Sequence, residues 1–195
     1  CGAWQSHNEL VGNGGYGLRI TGEGADNTLV YWNDIGRNLH TGARHGNVLG
    51  DIIVENGPDN TTLGCTAEVI GMIVAGNLGV GVTLKGPSTT NTVINAVQIG
   101  RSDAPNEGHG ILIDGATNVS NYTNAYRPMV VQYNGGDGVR VVSGDKIAFN
   151  LQYATSDIYH TISRNGGIAF NLVGSGDLSN GVTLNDPGDS DSGPN

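Results

Sequence analysis

The feature that most constrains this chain is a phrase it writes again and again. Asn13-Gly-Gly-Tyr-Gly-Leu-Arg-Ile, Asn77-Leu-Gly-Val-Gly-Val-Thr-Leu, Asn106-Glu-Gly-His-Gly-Ile-Leu-Ile and Asn134-Gly-Gly-Asp-Gly-Val-Arg-Val share one pattern: Asn-x-Gly-x-Gly, then apolar, variable, apolar. A degenerate copy, Asn47-Val-Leu-Gly-Asp-Ile-Ile-Val, lacks both glycines of the pair, and a shortened one begins at Asn165-Gly-Gly-Ile-Ala-Phe. Recurrence at about 30 residues is the period of a solenoid, in which each unit buries its apolar face only against its neighbours. Asn and Gly tolerate positive φ, so the first half of the phrase is a bend. The apolar-variable-apolar triplet has period two and reads as a short strand with one buried face. A second strand-like run follows in several copies, as in Asn27-Thr-Leu-Val-Tyr-Trp and Asn91-Thr-Val-Ile-Asn-Ala-Val-Gln-Ile. No stretch shows helical period at useful length. The expected fold is all-β: a right-handed parallel β-helix of about six coils, its handedness taken from the general chirality of parallel crossovers.

Stacking predicts columns. One inward column is expected from Leu18, Ile52, Val82, Ile111, Val139 and Ile168, and a second from Ile20, Val54, Leu84, Ile113, Val141 and Phe170. The residues between them, Arg19, Ile53, Thr83, Leu112, Arg140 and Ala169, are expected to face solvent. Thr21, Glu55, Lys85, Asp114 and Val142 form a further column, in which Glu55, Lys85 and Asp114 alternate in sign, a surface register device worth a few tenths of a kcal/mol per pair.

At 195 residues the chain reads as one domain, 1–195, with 177–195 an acidic C-terminal loop or tail. Thirty-three glycines and only 14% charged residues suit a turn-rich β chain. The net charge is −9 and the nine cations are scattered, so no nucleic-acid partner is expected. No apolar run reaches the ~18–20 residues of a membrane helix. Cys1 and Cys65 are a candidate disulfide, which fits an oxidising compartment; sequence alone does not bring them together. Cys1 at the first position also suits a lipid-modified N-terminus, or a chain simply cut there. Asn60-Thr-Thr, Asn118-Val-Ser and Asn121-Tyr-Thr match the glycosylation sequon, as chance allows in an Asn-rich chain.

The repeats and the run Asn180-Gly-Val-Thr-Leu-Asn-Asp-Pro-Gly-Asp-Ser-Asp-Ser-Gly-Pro-Asn resemble large bacterial extracellular proteins with right-handed β-helix repeats of the pectin-lyase-like superfold. The resemblance is good over about 77–195 and loose over 1–76. It implies a secreted or cell-surface location and a fragment of a longer chain. That superfold also houses polysaccharide lyases, hydrolases, epimerases and phage tailspikes, and none of their catalytic signatures is intact here. Fold membership therefore leaves function to be read from sites.

Three sites are candidates. Asp186, Asp189 and Asp191 alternate with Gly and Ser, which supplies oxygens on a tight loop for calcium; the plain alternative is a solvated acidic loop. The residue before the last Gly of each phrase gives a column of Tyr16, Gly50, Val80, His109 and Asp137. It places His109 beside Asp137, with Arg140 near. Such a group could act on a uronate sugar, the His as base and Arg140 neutralising the sugar carboxylate; the alternative is a surface ion pair. Third, Trp4, Tyr16, Tyr31, Trp32, Tyr122, Tyr126, Tyr133, Tyr153 and Tyr159 could stack on sugars, though rings more often fill solenoid corners. The leading expectation is a non-catalytic extracellular structural or adhesive module, open to self-association through its ends. The alternatives are a lyase or hydrolase acting on an acidic polysaccharide, and a glycan-binding module.

Overall fold

The computed structural model describes residues 8–38, 40–64, 72–121, 128–149 and 160–173. Among the described residues, fifteen strands and one 3-10 turn, Glu23–Ala25, account for the regular structure, and every pairing between these strands is parallel. The chain is a parallel β-solenoid.

Three faces wind around one core. Face one carries β2 (Tyr16–Thr21), β5 (Gly50–Glu55), β8 (Val80–Lys85), the first part of β11 (Ile111–Ser120), the first part of β13 (Val139–Ala148) and β15 (Phe170–Leu172). Face two carries β3 (Leu29–Val30), β6 (Thr62–Gly64), β9 (Val93–Asn95) and the far parts of β11 and β13. Face three is a six-stranded sheet: β1 (Asn8–Leu10), β4 (Asn33–Ile35), β7 (Met72–Val74), β10 (Val97–Ile99), β12 (Val130–Gln132) and β14 (Thr161–Ser163). β11 runs through the corner: Ile111 pairs with Val82 on face one and Ser120 with Val93 on face two, so faces one and two merge. The six predicted starts bound about four complete turns, fewer than the six coils expected, because the outermost copies contribute partial coils.

Five of the six predicted rungs have the expected register. Leu18, Ile52, Val82, Ile111 and Val139 align, as do Ile20, Val54, Leu84, Ile113 and Val141. The last rung differs. Phe170, not Ile168, pairs with Val139, and Leu172 pairs with Val141. Ile168 is exposed. Counting from Asn165 as from the other five asparagines gives this register directly. The expected Ile168 and Phe170 positions followed the apolar letters instead. Phe170 packs its ring against Phe149 at 5.8 Å.

Alternate side chains of the strands point inward on each face. Ile35, Val74, Ile99 and Val131 on face three meet Ile52, Val54, Val82, Leu84, Ile111 and Ile113 from face one, and Leu63 and Ile94 from face two. The middle column of face one is not the uniform solvent face expected: Ile53 and Thr83 are buried, and Asn171, not Ala169, completes it. The charge column is aligned at Glu55, Lys85 and Asp114 but continues to Ser143 through a bulge, not to Val142. Within it Glu55 turns sideways to Arg19, at 2.7 Å, on the neighbouring column.

Candidate functional site

The asparagines that open each phrase form one continuous ladder at the corner between faces three and one. The Asn13 side chain and main-chain N–H donate to Asn47 Oδ1 at 2.8 and 3.0 Å. Asn47 repeats this to Asn77 Oδ1, Asn77 to Asn106, and Asn134 to Asn165, all at 2.9–3.1 Å. Asn106 Nδ2 bridges to Asn134 at 2.9 Å. The second amide proton of each inner rung goes back to a face-three carbonyl: Asn77 to Ile35, Asn106 to Val74, Asn134 to Ile99. Asn47, Asn77, Asn106 and Asn134 are buried. A side-chain amide has two donors and one acceptor, and here every one is used on backbone or rung that water does not reach. The phrase begins with Asn because no other short side chain satisfies that corner.

The second glycine of the phrase has an equally local cause. A Cβ on Gly110 would lie 2.4 Å from Val131 Cγ1 and 2.6 Å from the Gly138 carbonyl. At Gly110 the position faces inward against the next rung and leaves no room for a side chain. Asp51 occupies it in the degenerate copy. There the glycine is displaced one residue earlier, to Gly50 at φ 131°. Asp51 is fully buried, Asn47 Nδ2 lies 3.5 Å from its Oδ1, and its Oδ2 has no hydrogen-bond partner. Burial pushes its carboxyl well above the usual range, against a weaker opposing effect of Asn47. Column alignment alone could have flagged Asp51, as the one charged residue in a glycine column.

His109, Asp137 and Arg140 come together on adjacent coils as expected. His109 Nδ1 lies 3.5 Å and Arg140 Nη1 3.1 Å from Asp137 Oδ2. The partners of Asp137 extend further than sequence suggested. Asn171 Nδ2 donates to Oδ2 at 2.7 Å, and the Ile168 N–H donates to Oδ1 at 2.8 Å. Burial works to raise the Asp137 pKa, but Asn171, the Ile168 N–H, Arg140 and His109 outweigh it and hold the carboxyl below its ordinary value. The main-chain N–H of Asp137 donates to His109 Nδ1 at 2.8 Å. Nδ1 is therefore an acceptor and the proton of the neutral ring sits on Nε2. Burial keeps the imidazole below its usual pKa, the Asp137 carboxylate opposing and Arg140 adding to the shift. In this tautomer the ring offers solvent an N–H rather than a lone pair, and the carboxylate has both oxygens engaged by the protein. The geometry is that of a brace between three coils.

Other inter-coil ties were not foreseen. Arg44 Nε donates to the Gly76 carbonyl at 2.7 Å while its Nη2 meets Glu107 at 2.7 Å, so one side chain clamps three coils. Tyr133 and Arg164 stack at 5.7 Å and share a hydrogen bond. Of the aromatics, Trp32 is buried at a corner at φ 57° and Tyr31 is exposed. Trp4, Tyr122, Tyr126, Tyr153 and Tyr159 lie outside the described residues, as do Cys1, Cys65, Asp186, Asp189 and Asp191. Among the described residues no three His, Cys, Asp or Glu side chains are placed to hold a metal ion, and no helix is long and apolar enough to cross a membrane.

No protein-family model matches the chain, and no curated protein and no solved structure matches it.

Proposed function

We propose that this solenoid is a non-catalytic structural or adhesive module that works outside the cell as a rigid column and extends by end-to-end contact between copies. The observation that carries the reading is the ladder, whose hydrogen bonds all run one way. Each rung donates toward the higher-numbered rung and accepts from the lower one. A ladder with direction has an acceptor end at Asn13 and a donor end at Asn165, and a second copy stacked head to tail continues it. The strands support the same geometry. Among the described strands, β2 at one end pairs with one strand, β5. Open strand edges are templates for pairing unless something covers them. The involvement of His109, Asp137 and Arg140 in bonds to one another and to Asn171 and Ile168 favours a bracing role over acid-base chemistry on a glycan.

Light scattering with negative-stain imaging, with and without calcium, tests this. Concentration-dependent fibres with a single-column width are expected. Their loss on chelation would bring the Asp186, Asp189 and Asp191 loop into the contact. A monomer at all concentrations overturns the assembly. Cleavage of an acidic polysaccharide that disappears in His109→Ala overturns the non-catalytic reading.

A further inference from the structure

The corner between faces one and two changes height along the solenoid, and the cause is loop length. Between the positive-φ residue that leaves face one and the Asp/Thr column that opens face two, the first coil has Glu23, Gly24 and Ala25 and the second has Gly57 and Pro58. The third has Pro87, Ser88 and Thr89, the fourth only Ala116, and in the fifth Gly144 leads straight to Asp145. The outline therefore steps down after the third coil. At the step lies an open groove of about 450 Å³ lined by Thr90, Asn91, Thr117, Asn118, Asp145 and Lys146. Its volume falls in the range of small-ligand sites, about 300–1,000 Å³.

Every lining side chain is polar, and half of them are held from behind. Asp59 Oδ1 accepts the Thr90 hydroxyl at 2.6 Å and the Asn91 amide at 2.5 Å. Asn118 Nδ2 donates in turn to Asn91 Oδ1. Thr90, Asn91 and Asn118 thus keep fixed orientations and still carry lone pairs or protons that these bonds do not use. Thr117 and Asp145 are direct neighbours across the sheet and sit on the same column as Thr90. Rigid, alternating donors and acceptors beside one carboxylate match vicinal hydroxyls, which a carboxylate can accept in pairs through strong charge-assisted bonds. The coils are about 4.8 Å apart, comparable to one pyranose unit, so successive rungs meet successive sugars. No wholly apolar side chain lines the groove, so it does not select an apolar ligand. The local charge is also against an anion, because Asp59 and Asp145 outnumber Lys146. The geometry points to a binding site for a neutral oligosaccharide, gripped by Thr90, Asn91, Thr117, Asn118 and Asp145. It stands on different residues from the end-to-end contact and fails or holds independently of it.

Saturation-transfer NMR on the full chain, with cellotriose, maltotriose and trigalacturonate as probes, tests the site and works whether or not the protein assembles. At least one neutral trisaccharide is expected to show saturable transfer with a Kd on the order of 1–10 mM, a weak value set by the absence of an aromatic platform. Trigalacturonate is expected to bind at least about fivefold more weakly. Thr117→Val, which keeps shape and removes the hydroxyl, and Asp145→Asn should each weaken the neutral sugar by about fivefold or more. Three results overturn the site: no transfer from either neutral sugar up to about 50 mM, equal affinity in Thr117→Val and Asp145→Asn, or tighter binding of trigalacturonate.

Discussion

Two columns of asparagine run along this solenoid, the outer one giving way to Lys146 in the fifth coil, and they exist for different reasons. The inner one, Asn13, Asn47, Asn77, Asn106, Asn134 and Asn165, is mostly buried, and none of its members has a positive φ. The outer one, Asn27, Asn60, Asn91 and Asn118, lies at the corner between faces one and two, and every member has φ between 53° and 57°. Inside, Asn is present for its side-chain amide, which satisfies backbone groups that water cannot reach. Outside, it is present for its backbone, because it is among the few non-Gly residues that enter the left-handed region cheaply. The outer amides also bond along the column, as Asn60 does to Asn27 at 2.8 Å, but in contact with solvent. One residue type, repeated in register, therefore carries two unequal loads, and substitution separates them.

The largest effect belongs to the inner ladder. Asn77→Ala leaves the Asn47 main-chain N–H without its acceptor and takes one bond each from the Asn47 amide, Asn106 Oδ1 and the Ile35 carbonyl, all in a buried corner. Each unmet buried group costs about 1–3 kcal/mol, with partial relaxation, so a loss of about 4 kcal/mol is expected by urea denaturation. Asn77→Gly should be as damaging as Ala. A loss under about 1 kcal/mol would mean that water or neighbouring rungs replace the amide and that the ladder is not what holds the corner. Next in size is Gly110→Ala. Its Cβ meets Val131 and a main-chain carbonyl at distances no side chain tolerates, so the next coil must move, at about 2–3 kcal/mol.

Asp51 sharpens the comparison through pH. It stands beside the inner ladder, and its folded pKa is raised, so the folded state holds its proton more tightly than the unfolded chain. The stability this gives is fully present below the unfolded value, about 4, and is lost as pH rises through the folded value. Wild type should weaken from pH 4 upward more than Asp51→Asn does. The two should be nearly equal at pH 4, with the variant more stable at high pH. Parallel pH profiles from thermal unfolding would show that the Asp51 carboxyl finds a partner or water once ionised. Asp137 acts with the opposite sign: its pKa is lowered, so its contribution is lost only as pH falls below about 4.

Much of this was legible in the letters. All six ladder positions, including the degenerate Asn47 and the shortened Asn165, follow from a phrase whose spacing is set by one coil. Ile168 leaves its expected column because at the last rung the apolar pattern and the distance from Asn165 disagree, and fewer neighbours there enforce the pattern. The meeting of His109, Asp137 and Arg140 was visible from column arithmetic. Its closure by Asn171 was not, because Asn171 falls in the middle column only once the last register is right. The groove at Thr90 and Asp145 was hidden for another reason. It is created by differences in loop length between coils, and alignment on a repeat discards those differences.

The smallest effect is the sharpest test of the two loads. At Asn118, φ is 53° and the side chain is exposed, so replacing it removes little packing. Asn118→Ala forces a Cβ-bearing residue without a polar side chain into the left-handed region, at about 1 kcal/mol. Asn118→Gly keeps the backbone at ease and should lie within about 0.5 kcal/mol of wild type. At Asn77 the same pair of substitutions should be nearly equal and both severe, since Gly and Ala alike lack the amide. The informative quantity is therefore the gap between Ala and Gly at each site, measured by urea unfolding. It should be open at Asn118 and closed at Asn77. A closed gap at both would mean that the outer column, like the inner one, is held by its side-chain bonds and not by its backbone. The identical φ of Asn27 and Asn60 would then be a consequence of those bonds rather than their cause.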